Sequence, residues 1–390
     1  MEKKKRQTTG LSRAKPGRGR LTREKAGQKD RIYVCHTYYH VYVTFLKELN
    51  LPAAARGRAV LVLSRMSSRF EDLQKRVEST GLFARVVEFD EKREDFFPEL
   101  AKWRTGTGNL WKNLFRRMVF TRKYAKLEEP YIPVDFREYR EVYVYCDSDP
   151  IGYYLNWKHI PYYALEDGLN CLKNFDAARY DNRGHFRWKV FLSRRLNLIF
   201  VQNGYGKYCI TMEVNDIAAI PYPCPRYVEQ SRQELADRLT REDRELILRA
   251  FIRDRETLRQ RMDEVCREDG DDRKSNILIL TDPLCTLEVR ERIFRDIIAM
   301  YEPEGRIFLK PHPRDELDYR TLFADYPQFD AAVPMEILNF FPELRFRKVV
   351  GVLTELSGIR FAEEKIRLGE DFMDAYEDPP VHRQNEQIRA

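Results

Sequence analysis

The sequence predicts an α/β protein built from two Rossmann-like halves that face each other across a cleft. Three observations carry this expectation. Short apolar runs alternate with helically spaced segments along most of the chain, the order that gives parallel sheets. The cluster Pro221-Tyr-Pro-Cys-Pro225 punctuates the middle of the sequence. A second strand–helix series then restarts beyond a charged helical region. At 390 residues with 43% apolar content, the chain is long enough to bury two cores.

In chain order, residues 1–31 carry twelve Lys/Arg against three Asp/Glu, a net of +9, whereas the whole chain nets +7. The other 359 residues therefore net −2, and the basicity belongs to one tail. That tail has no apolar periodicity, so residues 1–30 are expected to be disordered. It suits an anionic inner-membrane surface. A solubilising extension and non-specific nucleic-acid contact are the other readings. Specific nucleic-acid recognition is not expected, because no zinc-finger spacing or RNP-type motif accompanies the charge. No apolar run reaches the roughly 18 residues of a spanning helix, and no signal-type stretch follows Met1. A cytoplasmic protein, at most peripheral on the membrane's inner face, is expected. The seven cysteines are scattered and lack C-x-x-C spacing, which fits a reducing compartment.

Strands are expected at Ile32–Cys35, Ala59–Leu63, Arg85–Phe89, Glu141–Tyr145 and Tyr162–Leu165, with a helix over His40–Leu49. Residues 31–225 form the first half on this reading. The helical region from about Gln233 to Val265, with Thr240 capping a restart, opens the second half, residues 226–390. Its strands are placed at Asn276–Leu280, Arg306–Leu309, Lys348–Leu353 and Lys365–Leu368.

The chemistry-bearing motifs lie at strand ends, where open α/β sheets bind ligands. Lys310-Pro-His-Pro-Arg314 offers a cation, an imidazole fixed between two prolines and a second cation, a set suited to a phosphate. Glu166-Asp167-Gly168 follows the strand Tyr162–Leu165 and supplies paired acids for general-base work, with a glycine to permit a sharp turn. Asp147-Ser-Asp149 has a D-x-D form that can grip a hard cation. It is equally an acidic strand end, and no metal is assigned. His36 and His40 are spaced i,i+4 without the carboxylate of a zinc motif; one is expected to pack and the other to face the cleft. Gly106-Thr-Gly108 lacks the strand and third glycine of a dinucleotide fingerprint.

Together these segments resemble the bacterial sialyltransferases of the glycosyltransferase family 52 type, including the lipooligosaccharide and capsular branches. Glu166-Asp167-Gly168 is similar to their D/E-D/E-G motif, and Lys310-Pro-His312-Pro313 to their HP motif. Cys35-His-Thr-Tyr-Tyr-His40 is similar to their first strand–turn–helix, and Pro334-Met-Glu336 lies where they place a ribose-binding carboxylate. The resemblance implies an inverting, metal-independent enzyme of GT-B architecture that needs no cofactor. It also implies a CMP-activated sialic acid or related nonulosonate as donor and a surface-glycan hydroxyl as acceptor. Asp167 would be the base, with Asp282 of Leu280-Thr-Asp-Pro283 as runner-up, and His312 would act on the departing phosphate. Glu166, Gly168, Lys310, Pro313, Glu336, Thr354 and Ser357 would complete the donor site. The family's adjacent hydroxyl pair is replaced here by Leu353-Thr-Glu-Leu-Ser-Gly358, which puts Glu355 beside the expected phosphate. Two other readings remain at this stage. One is a CDP-polyol phosphotransferase of teichoic-type polymer synthesis; the other is a non-enzymatic, basic-tailed membrane or nucleic-acid binding protein.

Overall fold

The computed structural model describes residues 29–104, 106–173, 176–266 and 275–383. Residues 1–28 of the basic tail lie outside them; residues 29–31, counted with the tail by charge, are already strand. There Lys29 pairs with Glu138 at 2.5 Å and Arg31 with the buried Glu48 at 2.9 Å.

Seven parallel strands form the first sheet: β1 Lys29–Cys35, β2 Val60–Ser64, β3 Arg85–Phe89, β4 Tyr139–Tyr145, β5 Tyr162–Leu165, β6 Cys209–Val214 and β7 Tyr227–Glu229, in the order β3-β2-β1-β4-β5-β6-β7. The second sheet holds β8 Ser275–Leu280, β9 Gly305–Lys310, β10 Phe346–Gly351 and β11 Ala362–Arg367, also parallel, in the order β11-β10-β8-β9.

Continuous apolar strands arise because helices cover both faces of a parallel sheet. In β1, Tyr33 and Cys35 enter one core while Ile32 and Val34 enter the opposite one. In β8, Ile277 and Ile279 part from Leu278 and Leu280 in the same way. Both sheets reverse their winding direction at the centre, between β1 and β4 and between β8 and β10. The loops leaving these strands line the cleft.

The proline cluster does not mark the crossover. Residues 221–225 link β6 to β7, and β7 still pairs with β6 in the first sheet. Helices Arg232–Asp237 and Arg241–Phe251 also pack on the first half, where Leu235, Leu239, Ile247 and Phe251 join Phe45 and Leu46 of α1, Tyr38–Leu49. Thr240 caps the second of these helices through a reciprocal bond with Asp243. Only at helix Arg255–Cys266, through Met262 and Val265, does the chain join the second core. The boundary therefore falls near Ile252–Asp254, not at 225. Prolines broke the local strand pattern, but packing decides which half owns a helix.

Candidate functional site

A cavity of 640 Å³ lies between the halves, and all ten residues that the resemblance assigns to the base and donor site line it: Glu166, Asp167 and Gly168 from the first half, Asp282, Lys310, His312, Pro313, Glu336, Thr354 and Ser357 from the second. The two motif loops thus meet across one cleft.

The acidic loop turns at Gly168, whose φ of +153° is a conformation other residues rarely adopt. Successive side chains leave β5 in opposite directions. Glu166 is buried at 1% exposure with neither carboxylate oxygen hydrogen-bonded. Burial raises its pKa, with the Arg232 guanidinium opposing. Asp167 faces the cleft and accepts a bond of 2.5 Å from His40 Nε2. The His40 ring is fixed twice. Its Nδ1 accepts the His36 amide at 3.0 Å, and its face stacks on Tyr145 with centroids 4.3 Å apart. An Nδ1 that accepts leaves the proton on Nε2, so His40 is a neutral imidazole that donates to Asp167. Burial opposes the charge on Asp167, yet His40 and Arg314 prevail and hold its carboxyl below the usual range. It stands ionised at neutral pH.

Opposite it, the His312 amide donates to Thr281 Oγ1 at 2.9 Å and its Nδ1 accepts the Arg314 amide at 3.1 Å. The proton again belongs on Nε2. Burial, followed by the charges of Arg314 and Lys310, pushes its pKa down to about 3. His312 is therefore a neutral N–H donor lining the cleft. Asp315 braces the loop: it accepts Arg290 at 2.5 Å and Tyr319 at 2.8 Å, and its amide donates to the His312 carbonyl at 3.0 Å.

Three expectations change. Asp282 is a tether: it accepts the Leu353 and Thr354 amides at 3.0 and 3.3 Å and the Thr354 hydroxyl at 2.5 Å. Its oxygens are occupied within its own half, and the Thr354 proton is committed to it; Ser357 keeps the exposed hydroxyl. Lys310 Nζ donates to the Pro311 and Ala331 carbonyls, each at 3.1 Å, so its charge reaches the cleft from a distance. Arg314, exposed and without an ion pair among the described residues, is the nearer cation. Glu355 does not burden the phosphate region as an unpaired charge, because it pairs with Lys173 of the first half at 2.7 Å.

Asp147 of the D-x-D segment is spent on the fold. It accepts the Asn203 amide at 2.6 Å and the Tyr162 hydroxyl at 3.0 Å. Asp149 lies 3.4 Å from His36, whose Nε2 is 2.7 Å from Glu91. Burial works against charging His36, but these carboxylates raise its pKa to about 9. Both histidines are buried, so the expected division into one packed and one cleft-facing takes another form: His36 anchors the floor and His40 serves Asp167.

The family 52 glycosyltransferase model matches residues 112–361, well over half the chain. The chain belongs to glycosyltransferase family 52. A Photobacterium 2,6-sialyltransferase, solved with CMP and lactose, shares the fold at TM-score 0.53 and 11% identity, over 86% of this chain and 71% of that one. A Photobacterium phosphoreum α-2,3-sialyltransferase is similar at TM-score 0.49 and 11% identity, covering 86% and 89%. An uncharacterised Haemophilus influenzae protein is 28% identical over 85 residues, 22% of this chain and 27% of its own length. Two Rossmann-like halves facing a cleft, the GT-B arrangement expected, are shared with the Photobacterium 2,6-sialyltransferase. No described helix is long and apolar enough to cross a membrane.

In this family 52 glycosyltransferase a second cavity, of 1310 Å³, adjoins the first and shares Thr37, Asp167 and Arg314 with it. Asp167 sits on the seam. His40, Thr281 and Asp315 escaped the sequence reading as supporting groups. Only Thr37, which caps α1 by accepting the His40 amide at 3.2 Å, marked the place where His40 is held.

Proposed function

We propose that this glycosyltransferase transfers sialic acid or a related nonulosonate from a CMP-activated donor to a hydroxyl of a bacterial surface glycan, with inversion. The carrying observation is Asp167 on the seam between two cavities, opposite the His312 loop. The donor occupies the smaller cavity and the acceptor the larger. As the acceptor oxygen bonds to the anomeric carbon, Asp167 takes its proton, and the carbon–oxygen bond to the phosphate breaks with its electron pair leaving on CMP. Attack opposite the leaving group inverts the centre. His40 holds Asp167 oriented and ionised. His312 Nε2–H, Arg314 and Ser357 meet the growing phosphate charge by preorganised donation, so no metal is called on. Glu336 takes the ribose hydroxyls.

The test compares Asp167→Asn with Asp282→Asn, using CMP-sialic acid, CDP-glycerol and CDP-ribitol as candidate donors. Loss of a general base costs about 10²–10⁴-fold. Asp167→Asn should lose transfer by that factor with CMP binding intact, whereas Asp282→Asn should weaken CMP binding by freeing the Thr354 loop. Full transfer by Asp167→Asn, or turnover of the CDP-polyols alone, would sink this reading.

A further inference from the structure

The second cavity carries a charge imbalance that the fold does not resolve. Each of its acids is engaged: Glu94 with Arg104, Asp149 with His36, Asp167 with His40, and Asp181 with the Gln202 amide. Six of its cations, Arg93, Arg116, Arg117, Arg183, Lys189 and Arg314, pair with no carboxylate among the described residues. Two of them are held by backbone carbonyls. Arg117 donates to the Phe200 carbonyl at 3.2 Å, and Lys189 to the Arg183 carbonyl at 2.9 Å. Burial and then the Arg117 charge lower the Lys189 pKa. The cavity's seven Lys/Arg side chains outnumber its four carboxylates by three, an excess that an arriving anion would offset. The same cavity presents Trp111, 77% exposed, and Trp188, 66% exposed. Their flat faces offer platforms for sugar rings, with the indole N–H free to hydrogen-bond. Its volume exceeds the roughly 300–1,000 Å³ of sites for drug-sized molecules, leaving room for several sugar residues leading to Asp167.

We infer that the acceptor is an acidic oligosaccharide, its negative groups held by Arg117 and Lys189 and its rings by Trp111 and Trp188. The inference rests on the proposed reading of the second cavity as the acceptor side. The probes are trigalacturonate and its methyl ester, which differ in charge and not in chain length, measured by calorimetry on the full chain at low and high salt.

The acid should bind at low salt, weaken as salt rises, and bind at least about tenfold more tightly than the ester. Arg117→Gln and Lys189→Gln should each weaken it about ten- to a hundredfold, the loss of one bond to a charged group. The thermal shift given by CMP should stay unchanged, which reports that both variants fold and that the donor site stands. Equal binding of acid and ester would overturn the inference while leaving the donor reading intact. So would binding of neither sugar combined with Trp111- and Trp188-dependent sedimentation on anionic vesicles, which would make this rim a lipid surface.

Discussion

Replacing His40 by leucine isolates what the imidazole does for Asp167. The side chain is fully buried, and leucine is apolar and of comparable bulk, so most packing against Tyr145 survives. What disappears is the 2.5 Å bond from Nε2 to the Asp167 carboxylate. A hydrogen bond to a charged group contributes about 1.5–3 kcal/mol. One pH unit corresponds to 1.36 kcal/mol, so the Asp167 pKa should rise by about one to two. The base is active when ionised, so the acid limb of the rate profile should move up by that amount. Below the limb, turnover should fall about 10- to 100-fold; above it the loss should be smaller, because the carboxylate is charged in both proteins. The Asp167 carboxyl starts below the usual range, so the limb lies at acid pH, apart from Asp149, which burial pushes up to about 7. Carbon-13 NMR of the Asp167 carboxyl, titrated downward from neutral pH, locates it in both proteins, and CMP release at saturating donor reads turnover. Superimposable titrations would show that His40 packs and does not tune the base. The orphaned His36 amide should cost about 1–3 kcal/mol of stability, and a retained CMP thermal shift distinguishes that from misfolding.

Two further outcomes are expected. Glu128 is fully buried, one oxygen accepting the Lys92 amide at 3.1 Å and the other unpartnered, and burial pushes its pKa up to about 8. A carboxyl raised above its unfolded value stabilises the fold at low pH, and that contribution is lost as pH climbs through about 8. Glu128→Gln should therefore raise the melting temperature above pH 8 and leave it unchanged near pH 4; an equal difference at both would refute the assignment. For the pair across the cleft, Lys173→Glu should weaken donor binding modestly and Glu355→Lys added to it should restore it. No rescue in the double variant would show that the pair does not couple the halves.

Strands buried on both faces were legible: β1, β2, β5, β8 and β9 lie within a few residues of their apolar runs because covered parallel strands spell themselves as such runs. β6 and β7 were not. β6 exposes Ile210 at 45%, breaking its buried pattern, and β7 spans three residues. The site's positions were legible for the same reason, since strand ends set them. The partners of those positions were not. His40 lies 127 residues from Asp167 and Asp282 lies 71 from Leu353, and no local pattern encodes such pairings. Asp282 therefore looked like a second base until its oxygens were traced to the Thr354 loop.

Two ion pairs cross the cleft, Lys173–Glu355 at 2.7 Å and Arg360–Asp237 at 2.8 Å, beside the apolar packing of Ala332, Val333 and Ile337 against the first core. These are partly solvated pairs, of the kind that contribute about 0.2–1 kcal/mol each. Together they bias a two-state opening by no more than roughly thirtyfold, at 1.4 kcal/mol per factor of ten. The ion pairs are therefore a light part of the latch, and the buried contact of Val333 and Ile337 with the first core is the rest. Raising ionic strength should loosen that apolar contact little. The residence time of spent CMP should then follow salt only through the cation–phosphate contacts of the site itself.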